Sequence, residues 1–167
     1  MSLISGGNPM KTKLACLAGA AMLAMPSPGA AADAQLMAPI NQFIDSFNKG
    51  DAAAAEAAHA KDGVMIVDEP APHLWQGAGA FKAWAADLEK DAKAKGQTDQ
   101  MVKVSPATRE EVAGDSAYVI VPATYSFKEK GVAMRAEAQM TYVLRKGADG
   151  WKIQSWTWTG PRATPAK

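Results

Sequence analysis

The sequence is poor in the residues that carry most redox, metal and nucleic-acid chemistry. It contains one cysteine, Cys16, and two histidines, His59 and His73, among 167 residues. A lone cysteine forms no intramolecular disulfide, and two histidines at this spacing match no metal-ligand pattern. The 18 Lys and Arg nearly balance the 17 Asp and Glu, and they form no basic block. We therefore expect no metal or other cofactor, no disulfide and no nucleic-acid partner.

Long hydrophobic runs are also scarce, and the one near the N-terminus is short. It covers residues 14–25, too few for a permanent membrane anchor, and a pair of lysines precedes it. Small residues follow, with Ala32 and Ala34 as candidate cleavage positions. This order is typical of a secretory signal peptide, so we expect residues 1–34 to be an upstream extension and a signal. Cys16 would leave with the signal, and the domain would be periplasmic or secreted without a stable membrane anchor; the alternative is a disordered, alanine-rich tail.

The first part of the expected mature domain has helical periodicity. Apolar residues recur every three or four positions along residues 36–47 and form one stripe of a helix. Gly50 should end this helix, and the Asp51 carboxylate should cap a second one that runs to about His59. A similar pattern predicts a third helix over residues 81–92.

The second half of the chain alternates apolar and polar residues with a period of two. This pattern predicts strands at residues 100–112, 117–127, 132–145 and 151–159, and a short apolar run after Gly63 predicts an earlier strand at residues 64–67. Pro106 and Pro122 interrupt two of them and should mark a bulge or a bend. Helices segregated from a run of strands indicate an α+β fold. We expect a curved antiparallel sheet that wraps around the long N-terminal helix and, with two further helices, forms a cone with an apolar mouth.

Two carboxylates and a histidine follow the short first strand. Asp68 and Glu69 end the strand, and His73 comes after two prolines. Acids and a histidine at the end of a strand can transfer protons at an active site. They are equally the polar residues with which a chain forms a turn. Residues alone leave both interpretations open.

Four segments together resemble one known family. They are residues 47–51, which read FNKGD, residues 75–84, which read WQGAGAFKAW, residues 114–119, and residues 141–153. In this order and spacing the chain resembles the nuclear transport factor 2 superfamily, in its SnoaL-like and ketosteroid-isomerase-like branch. The resemblance implies the cone fold over residues 35–160, followed by a C-terminal tail at residues 161–167. It does not imply one function, because this fold hosts isomerases, dehydratases, cyclases and proteins without catalysis.

The resemblance also assigns possible roles to particular positions. Ketosteroid isomerases place a general-base Asp just after the first strand, and Asp68 matches that position. Their two hydrogen-bond donors for the enolate oxygen correspond here to Phe43 and Ala138, which are apolar, so the largest catalytic contribution is missing. Asp68 paired with His73 would instead resemble scytalone dehydratase in kind. His59, near a helix C-terminus, is explained by the helix dipole.

The alternation of the strands predicts a pocket and an outer surface. Trp156 and Trp158 fall on the outer face of the last strand, where their large apolar area indicates a homodimer interface or a surface covered by a chain terminus. The inner face and the helices should line a pocket for a small apolar molecule, or simply fill the core. The expected pocket residues are Phe43, Phe47, Phe81, Trp84, Ala138, Met140, Tyr142, Ser155 and Thr157.

Three hypotheses for the function follow. The first is an exported protein that binds a small apolar molecule in the cone without catalysis. The second is a cofactor-free isomerase, lyase or hydrolase that uses Asp68 with His73. The third is a dimeric interaction module that holds no ligand. Titratable groups facing an open pocket would favour the second hypothesis, and a filled core would favour the third.

Overall fold

The computed structural model describes the backbone of residues 28–166 and the side chains of residues 34–166. Most of the expected extension and signal peptide, residues 1–27, lies outside the described residues. The described helices are α1 (Pro28–Lys49), α2 (Ala52–Ala57) and α3 (Ala80–Lys95). The described strands are β1 (Val64–Val67), β2 (Leu74–Gly77), β3 (Gln97–Val104), β4 (Arg109–Ala113), β5 (Ser116–Glu129), β6 (Val132–Gly147), β7 (Gly150–Thr159) and β8 (Thr164–Pro165).

The long helix α1 presents one apolar stripe to the sheet. Leu36, Ile40, Phe43 and Ile44 are each at most 4% exposed, as their spacing on one helical face requires. The helix begins at Pro28, earlier than the sequence pattern predicts. Proline is tolerated in the first turn, and the alanines after it favour the helical backbone.

The FNKGD segment joins α1 to α2 and to the sheet. Gly50 has a φ of 70°, a left-handed conformation that ends α1. The Asp51 carboxylate then caps α2 by accepting a hydrogen bond from the Ala54 N–H at 3.0 Å. The Asn48 side chain donates to the Val102 carbonyl and accepts from the Val102 N–H, both at 2.8 Å. This amide therefore fixes the end of α1 against β3.

The strands form one curved, unclosed sheet. Its order is β2-β1-β7-β6-β5-β3, while β4 pairs with β5 and β8 pairs with β6. The expectation of an antiparallel sheet is wrong at one place, because β1 and β7 are parallel. The chain returns from β1 to β7 through α3 and five intervening strands, which is a crossover connection and not a hairpin.

The strand predicted over residues 100–112 is in fact two strands. Both β3 and β4 pair with β5, and Pro106 lies in the link between them. Pro122 lies in β5 opposite this gap, where its carbonyl accepts a hydrogen bond from the Ser105 N–H at 2.9 Å. Proline has no backbone N–H to donate. Because no residue of the link between β3 and β4 needs a hydrogen bond from β5 at this position, Pro122 leaves no hydrogen bond of the sheet unformed.

A bulge in β7 reverses the alternation of its side chains. At Gln154 the pairing with β6 advances by two residues on β7 for one residue on β6. Trp156, which is only 3% exposed, and Trp158 therefore lie on the inner face of the sheet. Ser155 and Thr157 point to the outer face. The predicted sides of all four residues are wrong, because strict alternation does not count the extra residue.

The residues after β7 pack back onto the domain. β8 pairs with the start of β6, and the Ala166 N–H donates to the Ala133 carbonyl at 2.8 Å. Gly160 lies against β6 so closely that an added Cβ would be 2.7 Å from the Cβ of Ala138. The expected α+β cone around α1 is confirmed, and the C-terminal tail crosses its rim as a strap, residues 160–166.

Candidate functional site

A cavity of about 100 Å³ opens into the cone. Its deep wall is buried and apolar, formed by Phe43, Ile44, Trp84, Met140 and Trp156. An engineered apolar cavity of about 150 Å³ holds a benzene molecule. The cavity in the cone is smaller but open at its rim, so a ligand with one ring would extend from it toward solvent.

Asp68 is held at the end of β1 by two hydrogen bonds. The Trp84 indole Nε1–H donates to Oδ2 at 2.8 Å, and the Glu69 backbone N–H donates to Oδ1 at 2.8 Å. Burial raises the pKa of the Asp68 carboxyl, and these two hydrogen bonds oppose the shift by favouring the ionised form. The carboxyl group lines the cavity. The structure therefore places a carboxylate with fixed orientation beside an apolar space.

Tyr125 is one of the polar cavity residues that sequence reasoning missed, together with Asp91, Lys95 and Gln97. Its hydroxyl is buried and has no hydrogen-bond partner among the described residues. Burial raises the pKa of the phenol, and the nearby carboxylates Asp68, Glu69 and Asp91 raise it further. The alternation along β5 places Tyr125 on the inner face with the buried Ala123 and its other odd-numbered neighbours. This alternation was the sequence signal that could have identified Tyr125 as an inner-face residue.

The rim of the cavity carries three carboxylates. Glu69 is exposed, and it lines the cavity together with Asp68 and Asp91. Burial raises the pKa of Glu69, and the adjacent Asp68 charge raises it further. Lys95 also lies on the rim, and its Nζ forms an ion pair with Asp91 at 2.7 Å.

The described structure does not form a pair between Asp68 and His73. The His73 side chain is exposed and does not line the cavity. His73 contacts Asp68 only through the backbone, where its carbonyl accepts a hydrogen bond from the Asp68 N–H at 3.2 Å. Its φ of 75° places it in the left-handed turn after the cis Pro72 peptide. The imidazole is not among the groups that line the cavity with the Asp68 carboxyl.

His59 is a buried and neutral part of the core. Its Nδ1–H donates to the Ala55 carbonyl at 2.9 Å, and its Nε2 accepts from the Trp156 indole at 3.2 Å. Burial lowers the pKa of His59 to about 4. The helix-dipole explanation is insufficient, because a helix C-terminus favours the charged form whereas desolvation dominates here.

The other expected pocket residues divide into two groups. Phe43, Phe47, Trp84 and Met140 line the cavity. Of the remaining inner-face residues, Phe81 and Tyr142 are buried and Ala138 is half-buried, and none of the three lines the cavity. Phe81 contacts the His59 ring at a centroid distance of 4.8 Å, Ala138 packs on Gly160, and the Tyr142 hydroxyl donates to the Met140 sulfur at 3.1 Å.

Two kinds of feature are absent from the described residues: a cluster of metal-ligating side chains and a membrane-spanning helix. Within residues 34–166, no group of three or more His, Cys, Asp or Glu side chains is arranged to hold a metal ion. Across the part of the chain that the structure describes, no helix is both long and apolar enough to cross a membrane.

The curved sheet, the enclosed helix α1 and the cavity define a protein of the nuclear transport factor 2-like fold. The model of the SnoaL-like domain family matches residues 36–158. This chain belongs to the SnoaL-like domain family. A search of curated proteins gives no match.

Solved structures of the same fold support this assignment. A ketosteroid isomerase-like protein from Erwinia carotovora atroseptica has a TM-score of 0.59 at 20% identity, over 77% of this chain and 95% of that one. A nuclear transport factor 2-like superfamily protein from Salmonella enterica serovar Typhimurium has a TM-score of 0.65 at 15% identity, over 83% of this chain and 96% of that one. A hexachlorocyclohexane dehydrochlorinase has a TM-score of 0.67 at 13% identity, over 83% and 91%. At these identities the similarity shows the fold alone.

Proposed function

We propose that this domain binds a small, mainly apolar molecule in its cone. The observation that carries the proposal is the Tyr125 hydroxyl, buried without a partner at the wall of an open, aromatic-lined cavity. A buried polar group without a hydrogen bond costs about 1–3 kcal/mol. A ligand that displaces the side chains covering this hydroxyl and places a hydrogen-bonding group beside it would recover that free energy.

The lining suggests how such a ligand is oriented. Its apolar part packs against Phe43, Met140 and Trp156 in the deep wall. Its polar part lies toward Tyr125 and Asp68, nearer the rim. An apolar pocket with a few fixed polar groups is the usual form of a small-molecule site.

Filling the cavity tests this proposal. Ala136 is buried and lines the cavity, whereas Ala133 lies on the same strand with its side chain exposed. We expect tert-butylbenzene to quench tryptophan fluorescence of the wild type and of Ala133→Leu with equal affinity. Ala136→Leu should bind about tenfold more weakly or not at all, because its side chain occupies the ligand space. Equal affinity of all three proteins would contradict the proposal.

A second proposal is a cofactor-free proton-transfer enzyme, an isomerase, lyase or hydrolase. The specific observation is that the Asp68 carboxyl lines the cavity with its pKa raised by burial. The Tyr125 hydroxyl supplies a donor for a substrate oxygen, a role that Phe43 and Ala138 lack. His73 has no part in it, since its side chain is exposed.

Deuterium exchange tests the enzymatic proposal. We expect the wild type to accelerate exchange of the methyl protons of acetophenone in D2O, measured by proton NMR. Asp68→Asn should abolish the acceleration, because it removes the base and keeps the shape. Asp149→Asn makes the same charge change at an exposed turn residue and should leave the rate unaltered. Equal rates in Asp68→Asn and the wild type would exclude Asp68 as the base.

We propose further that the protein is exported to the periplasm or secreted. The support is the lysine pair and the apolar run at residues 14–25. N-terminal sequencing of the protein from its native compartment should find a start near Asp33 or Gln35. A retained Met10 would contradict export with cleavage.

A homodimer, including a dimeric interaction module without ligand, stays a prediction. Trp156 and Trp158 do not support it, because they lie on the inner face of the sheet. Met65, Val67 and Leu74 are exposed apolar residues of β1 and β2, and Val67 pairs directly with Leu74. If this face joins two copies, Val67→Glu should halve the mass measured by light scattering. A wild-type monomer at high concentration would end this prediction.

A further inference from the structure

The rim of the cavity has more negative than positive charge. Asp68, Glu69 and Asp91 line it, and Lys95 is the cation among the lining residues of the described chain. The Lys95 ammonium pairs with Asp91. Lys95, and to a smaller extent Arg162 on the strap, also attract Glu69 through charge at longer range, but no ion pair within 4.0 Å joins a cation to Asp68 or Glu69 within residues 34–166. Two adjacent carboxylates therefore face the cavity without a paired cation.

The cavity wall presents aromatic rings in nearly perpendicular planes. The rings of Trp84 and Trp156 lie 5.1 Å apart at 87°, and those of Tyr125 and Trp158 lie 6.0 Å apart at 78°. The negative face of an aromatic ring attracts a cation, and a ring of these edge-to-face pairs contributes wherever its free face borders the cavity. Quaternary ammonium groups are bound in proteins by aromatic cages of this kind.

The carboxylates and the rings share one space. Asp68 is joined to this wall directly, because the Trp84 indole donates to its Oδ2 at 2.8 Å. A positive group near Asp68 would meet the rings of Tyr125 and Trp158 and the charge of Glu69, all of which line the same cavity. An anion at this position would be repelled by both carboxylates, and a neutral group would leave them unpaired.

We infer that the ligand is a hydrophobic organic cation, an alkyl- or arylammonium whose charged group lies at the carboxylate rim and whose apolar part enters the cone. This inference rests on the proposed binding function and adds the chemical class of the ligand. Its cation is stabilised by Asp68 and Glu69 together with the aromatic faces. Its apolar part fills the space bounded by Phe43 and Met140.

Two probes of nearly equal shape, one charged and one neutral, separate the effect of charge on the binding affinity from the effect of shape. Phenyltrimethylammonium carries a permanent positive charge, and tert-butylbenzene has carbon in place of the nitrogen. Tryptophan fluorescence titration should give at least about tenfold tighter binding of the cation, since cation–π contacts and a partly buried ion pair each contribute. If the neutral probe binds as tightly as the cation, the inference is overturned while the proposed function stands. If neither probe binds, both fail.

Carboxylate variants test which groups supply the selectivity. Asp68→Asn and Glu69→Gln should each lower the ratio of the phenyltrimethylammonium affinity to the tert-butylbenzene affinity by about two- to tenfold. Glu69 is exposed, so Glu69→Gln keeps the test valid even if Asp68→Asn fails to fold. Asp149→Asn changes the net charge equally at a distant exposed turn and should retain wild-type selectivity. Unchanged selectivity in both rim variants would overturn the inference.

Discussion

Acid should destabilise this domain through His59. The His59 ring is 4% exposed, and its two nitrogens are hydrogen-bonded to Ala55 and Trp156. Burial lowers its pKa from 6.5 to about 4. The unfolded chain therefore takes up a proton below about pH 6.5, whereas the folded protein does so only near pH 4. The stability that the neutral ring supplies is complete above pH 6.5 and is lost as the pH falls to 4.

The size of this effect follows from the shift. One pKa unit corresponds to about 1.4 kcal/mol, so the change from 6.5 to about 4 removes about 3 kcal/mol of unfolding free energy. Asp68 and Glu69 act in the opposite direction, because acids with raised pKa values bind protons more readily in the folded state. The contribution of His59 to the pH dependence of stability is therefore obtained by comparing the wild type with a variant that lacks this histidine.

The comparison uses urea unfolding between about pH 7.5 and pH 4, followed by far-UV circular dichroism. His59→Gln does not titrate in this range, so its stability should fall about 3 kcal/mol less than that of the wild type. His73→Gln makes the same substitution at the exposed histidine and controls for the change itself. Parallel pH profiles of the wild type and His59→Gln would refute the assignment of His59 as a buried, neutral residue.

Three further variants test the packing described above. Gly160→Ala should cost about 1–3 kcal/mol in thermal unfolding, since its Cβ would be 2.7 Å from the Cβ of Ala138; a neutral effect would contradict the close contact. Asn48→Ala should cost about 1–3 kcal/mol in urea unfolding, because it removes both hydrogen bonds to Val102; a loss under about 0.5 kcal/mol would argue against this anchor. Tyr125→Phe should leave the unfolding free energy unchanged or raised, because the lost hydroxyl has no partner; a large loss would reveal one.

The sequence predicted the helices well because their signals are local. Gly50 ends α1 and Asp51 caps α2 through atoms at most three residues away in the chain. The apolar stripe of α1 likewise needs only its own spacing to identify the buried face. The start at Pro28 was missed, because alanine-rich residues carry no apolar pattern to mark where a helix begins.

The candidate site was predicted less well, because one extra residue in β7 reverses the faces of the side chains that follow it. The bulge at Gln154 is stabilised by contacts far away in the chain, including a hydrogen bond from its side chain to the Gly63 carbonyl. No local pattern marks such a residue, yet it turns Trp156 and Trp158 into the cavity. Tyr125 could have been found by alternation, but its missing hydrogen-bond partner is visible only in three dimensions.

Binding in the cone is the central claim, and fluorine NMR of protein labelled with 5-fluorotryptophan tests it most directly. The chain contains five tryptophans, of which Trp84, Trp156 and Trp158 line the cavity and Trp75 and Trp151 do not. On titration with tert-butylbenzene, we predict saturable shifts of the three cavity resonances and little change in the other two. Shifts confined to Trp75 and Trp151, or no saturable shift at all, would contradict the account.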